Sequence, residues 1–60
     1  MLAQEYIEKA ITSCQRALKD LEKKNEQCIR LALGDLDYVE HHIQAGKILL
    51  REELKDIKRN

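Results

Sequence analysis

The chain has no proline, only two glycines, and neither tryptophan nor phenylalanine. Without proline, nothing in the sequence forces a helix to break or kink. The two tyrosines are the only aromatic residues, which excludes a large aromatic-walled pocket. No apolar run approaches the ~20 residues of a membrane span, and the N-terminus lacks the basic region and apolar core of a secretion signal. Two cysteines in that context fit reduced thiols, so the expected location is cytoplasmic. Charge of one sign is also missing. Eleven basic and eleven acidic residues cancel, so bulk charge gives no push towards nucleic acid or an anionic surface.

Charged residues make up 37% of the chain and apolar residues 43%, too apolar for a disordered tail. Sixty residues hold one structural unit, 1–60. A unit this small is marginal alone and usually gains stability from a disulfide, a metal or self-association.

Periodicity predicts an all-α fold. In the first half Gln4, Ile7, Ile11, Cys14, Leu18, Leu21, Asn25, Cys28 and Ala32 follow one another at steps of three and four. That is a coiled-coil seam. Beside it runs a second, mostly small stripe: Ala3, Tyr6, Ala10, Ser13 and Ala17. A helix with a bulky seam and a small stripe can pack against more than one neighbour, one of them at close range. A first helix over about 3–33 accounts for both. In the second half Leu36, Ile43, Leu50 and Ile57 recur every seven residues, with Val39, Gly46 and Leu54 between them. This predicts a second amphipathic helix over about 36–58.

Gly34-Asp35 reads as the turn, at 34–35. Glycine commonly follows a helix end, and aspartate is a strong N-cap. A break at "KKNEQ" with Asn25 as N-cap is the alternative, less favoured because the seam passes through Asn25 in register. Pairing outwards from Gly34 sets Leu21 near Gly46, Leu18 near Leu50 and Cys14 near Leu54. Gly46 then makes room for Leu21, or is simply a weak point in the helix.

One antiparallel helical hairpin cannot cover both stripes, so pairing of two hairpins into a homodimeric four-helix bundle is expected. The predicted core and self-association set is Ile7, Ile11, Cys14, Leu18, Leu21, Asn25, Cys28, Leu36, Val39, Ile43, Gly46, Leu50, Leu54 and Ile57. At a core position Asn25 would fix register by demanding a polar partner; at the seam's edge it is merely hydrated.

The stretch "CIRLALGDLDYVEHH", residues 28–42, gathers a cysteine, carboxylates and two histidines. Its spacing does not suit a metal. His41 and His42 are adjacent and point about 100° apart, and His42 has no ligand-type residue three or four places away. A Cys28–His42 pair across the hairpin would supply only two ligands. No metal and no cofactor is expected. Ser13 and Thr12 lack a base at helical spacing, Cys14 sits on the apolar seam, and no glycine-rich phosphate loop is present. The chain is not expected to be an enzyme.

Two surfaces are candidates for binding. Tyr38, His41, Ala45 and Ile48 form an exposed stripe on the second helix, suited to a partner protein. Lys9, Arg16, Lys23 and Arg30 recur every seven residues as a basic ridge opposite the first helix's seam, a pattern able to follow a phosphate backbone. Pairs such as Glu5–Lys9 and Glu26–Arg30 read equally well as ordinary helix support. In length and layout the chain resembles Rop, the plasmid copy-number regulator, whose helical hairpin dimerises and binds RNA. That resemblance implies a dimer using the ridge and carries over no individual residue. The favoured expectation is a small regulatory or adaptor protein that self-associates and acts through protein–protein interaction. The alternatives are a Rop-like RNA-binding dimer and a structural piece of a larger assembly.

Overall fold

A computed structural model describes residues 1–59; Asn60 lies outside them. Two helices, α1 (Leu2–Asp20) and α2 (Glu26–Arg59), pack side by side as an antiparallel hairpin, an elongated body of 53 × 14 × 11 Å. The all-helical hairpin expected from periodicity is therefore present.

The turn lies elsewhere. At its C-terminus α1 tightens into a 3-10 turn at Leu21–Lys23, and the chain reverses at Lys24 and Asn25. Lys24 adopts a left-handed conformation with φ of 49°, the only positive φ among the described residues. Asn25 then caps α2: its Oδ1 accepts the backbone N–H of Cys28 at 2.8 Å. Gly34 and Asp35 sit inside α2, which runs through them without interruption. The expected boundaries, 3–33 and 36–58 with a turn at 34–35, are corrected accordingly, and the alternative break at "KKNEQ" is the one the chain uses.

Two effects explain the difference. Glycine within a helix costs about 1 kcal/mol relative to alanine, which neighbouring contacts offset. Ala32, Asp35, Val39 and His42 supply them, all buried or half-buried on either side of Gly34. The seam's phase also survives the real turn, since Leu21, Asn25 and Cys28 keep their three- and four-residue steps across it. Periodicity cannot detect a break that preserves phase.

The helices meet along small residues. The buried positions of α1 are Ala3, Ala10, Ser13 and Ala17. Facing them on α2 run Cys28, Ala32, Asp35, Val39, His42, Gly46 and Leu49, all buried or half-buried and again at steps of four and three. A Cβ placed on Gly46 would lie 3.8 Å from Ile7 Cγ1 and 3.9 Å from both Tyr6 Cβ and the Ala3 carbonyl oxygen. Gly46 therefore packs on the first turns of α1 rather than on Leu21, and the expected Leu18–Leu50 and Cys14–Leu54 pairings fall away with the shifted turn. The close-range neighbour of the small stripe is α2.

At 1.5 Å per residue α1 is about 28 Å long and α2 about 51 Å. Met1 and Leu2 border Leu49, Glu52, Glu53 and Asp56, so the last turns of α2 run past the start of α1. Among the described residues no helix is long and apolar enough to cross a membrane.

Candidate functional site

The alanine-lined contact leaves the bulky seam uncovered. From Ile43 to Leu18 the large apolar residues expected in the core are 36% to 69% exposed, among them Ile7, Ile11, Leu21, Leu36, Leu50, Leu54 and Ile57. Of the predicted core set only Cys14, Cys28, Val39 and Gly46 are buried or half-buried. As an intrachain core the remainder is corrected. Those residues are too large for the close approach that Ala3, Ala10 and Ala17 permit, so they are turned outwards.

They are turned outwards together. On α1 the bulky seam residues immediately follow contact residues: Ile7 after Tyr6, Ile11 after Ala10, Cys14 after Ser13 and Leu18 after Ala17, with Leu21 after Asp20 at the start of the 3-10 turn. The same holds on α2, where Ile29 follows Cys28, Leu33 follows Ala32, Leu36 follows Asp35, Ile43 follows His42 and Leu50 follows Leu49. One residue is a rotation of about 100°. In an antiparallel pair, equal rotations in the same sense bring both stripes onto one broad side of the hairpin. The result is a two-helix apolar face running nearly the length of the molecule, interrupted on α2 by Glu40 after Val39 and Lys47 after Gly46. Contiguous exposed apolar surface on this scale is unusual for a soluble monomer.

The opposite broad side is polar. A shallow groove there is lined by Glu5, Lys9, Thr12 and Arg16 of α1 and by Gly34 and Tyr38 of α2. Arg16 Nη1 lies 3.7 Å from Asp35 Oδ1, and the Lys9 ammonium stands 5.5 Å from the centre of the Tyr6 ring. Burial first, then the neighbouring Asp35 carboxyl, holds the pKa of Asp20 above the ordinary carboxylate value, with Arg16 opposing. Asp35 Oδ2 is buried without a hydrogen-bond partner.

His42 is buried in the helix contact at 8% exposure, its Nε2 without a partner. The Tyr38 ring meets it edge-on with centroids 4.2 Å apart, and the Tyr6 ring lies at 5.7 Å. The structure puts His42 in the hairpin contact and His41 on the exposed surface. Cys28 and His42 share one helix, about 21 Å apart along its axis, so they do not face each other across the hairpin. Both thiols are free.

The stripe expected to bind a partner protein stays on α2, with Tyr38, His41 and Ile48 exposed and Ala45 half-buried. The basic ridge is broken by the shifted turn. Lys9 and Arg16 lie on α1, Lys23 in the 3-10 turn, and Arg30 on α2, paired with Glu26 at 2.8 Å. It is not a ridge of one helix.

Compared with known proteins, the sequence matches no family model, no curated protein and no solved structure.

Proposed function

We propose that this chain is a non-enzymatic helical adaptor or regulator, which self-associates through its apolar face into a four-helix bundle and uses the outer surface so displayed to bind a partner protein. The observation that carries the reading is the shared orientation of the two uncovered seams. Only alanine-sized apolar residues, Ala3, Ala10, Ala17 and Ala32, are buried between α1 and α2. Burying a Leu or Ile is worth about 1.5–3 kcal/mol, and the hairpin alone leaves that stabilisation unrealised. Stacking two such faces realises it and leaves the stripe of Tyr38, His41, Ala45 and Ile48 outside the bundle core, free for the partner.

Sedimentation equilibrium over a dilution series tests the first half; a dimer whose helicity falls as it dissociates is expected, and a fully helical, cooperatively melting monomer at micromolar concentration would overturn it. For the second half, Tyr38→Ala combined with Ile48→Ser should leave the dimer intact while losing a partner recovered stoichiometrically from nuclease-treated cytosol. Recovery that disappears with nuclease would favour RNA instead, a reading weakened by the broken ridge and the pairing of Arg16 and Arg30.

A further inference from the structure

The α2 half of the apolar face reads alike from both ends. Its residues are Ile29, Leu33, Leu36, Glu40, Ile43, Lys47, Leu50, Leu54 and Ile57, at alternating steps of four and three. About Ile43 the apolar residues mirror one another to within one residue: Leu36 and Leu50, Leu33 and Leu54, Ile29 and Ile57. The two interruptions mirror one another as well, and they carry opposite charge, Glu40 on one side and Lys47 on the other. Every apolar member named is exposed within the single chain, from 36% at Ile43 to 67% at Ile57.

Neither charge is used internally. Three and four residues away, Glu40 has Leu36, Asp37, Ile43 and Gln44; Lys47 has Ile43, Gln44, Leu50 and Arg51. None is an opposite charge, and among the described residues neither Glu40 nor Lys47 makes an ion pair.

Resting on the self-association proposed above, we infer that the occupant of this face is a second copy of the chain, with α2 lying antiparallel on the partner's α2 across a two-fold axis near Ile43. That arrangement sets Glu40 of each copy beside the partner's Lys47 and covers apolar residues with apolar residues from Ile29 to Ile57. Other placements fail on charge or length. Parallel α2 helices would bring glutamate to glutamate and lysine to lysine. Laying the partner's α1 on α2 would set both charges against the uncharged seam of Gln4, Ile7, Ile11, Cys14 and Leu18, and α1, about 28 Å long, cannot span a stripe of about 42 Å. Leu54 and Ile57, 52% and 67% exposed within the chain, find cover against another α2.

Charge reversal gives the test. In Glu40→Lys both interfacial pairs become lysine–lysine, and in Lys47→Glu both become glutamate–glutamate. Like charges set together at an interface weaken association by roughly one to several powers of ten, so each variant alone should dimerise at least about tenfold more weakly by sedimentation equilibrium. Mixed one to one, the two variants restore opposite charges at both contacts, and a heterodimer within about threefold of the parent affinity is expected. Singles that dimerise like the parent, or a mixture no tighter than the singles, would overturn the inference. Circular dichroism guards against misfolding: helicity lost in a single variant and not regained on mixing also counts against it.

A geometric readout stands beside this. In a Cys14→Ser, Cys28→Ser background, Ile43→Cys should form a disulfide-linked dimer under mild oxidation. Leu36→Cys alone should not, because its two copies would be about 21 Å apart, well beyond disulfide reach, yet it should cross-link to Leu50→Cys on mixing. A parent that is monomeric overturns this inference and the proposed self-association together. A parent dimer indifferent to the charge reversals, with Leu36→Cys cross-linking to itself, overturns the antiparallel arrangement alone.

Discussion

Asn25 Oδ1 accepts the backbone N–H of Cys28 at 2.8 Å, and this bond caps α2 at the point where the hairpin turns. It satisfies one of the donors left free in the first turn of α2. Asn25→Ala should cost about 1 kcal/mol in chemical denaturation at fixed protein concentration, and Asn25→Asp should retain most of that stability. A silent Asn25→Ala would place the helix start elsewhere.

Lys24 and Gly34 give a pair of opposite backbone tests. Lys24 occupies the left-handed region, which suits glycine better than lysine. Lys24→Gly should therefore stabilise the protein by roughly 1 kcal/mol. Gly34 is helical, and a Cβ there would meet nothing within 4 Å. Gly34→Ala should stabilise by about 1 kcal/mol as well. If the chain turned at Gly34 instead, that substitution would destabilise, so the sign of one thermal shift separates the two hairpins.

Enlarging the small seam should act differently from trimming the large one. Ala10→Leu pushes a bulky group into the close helix contact and should cost about 1–3 kcal/mol, with loss of helicity in monomer and dimer alike. Leu18→Ala removes a side chain that is 69% exposed in the hairpin, so its effect should fall on association. Sedimentation should show a weaker dimer while the helicity reached at high concentration stays near that of the parent.

The Asp20–Asp35 proximity predicts the direction of a pH effect. Because the folded-state pKa of Asp20 lies above its unfolded value, its contribution to stability is present in acid, below the unfolded value, and is lost as pH rises through the folded one. Asp20→Asn should raise the melting temperature at neutral pH and flatten its dependence across the carboxylate range. A steeper dependence in the variant would contradict the cause assigned to the shift.

Much of this was legible in the residues themselves. The steps of three and four, the absence of proline and the small stripe of Ala3, Ala10 and Ala17 determine two amphipathic helices, one with a close neighbour and a second face to cover. These are properties of single helices, set by which side chains share a face. The position of the turn was not legible, because glycine at 34 and asparagine at 25 are both credible signals and differ by only about 1 kcal/mol in local preference. What decided between them was the packing of α1 on α2. Turning at Asn25 sets Ala3, Ala10 and Ala17 against Ala32, Val39 and Gly46 at close range, and that choice alone placed Ile7, Leu18, Leu36 and Ile43 on the outside, on one shared face.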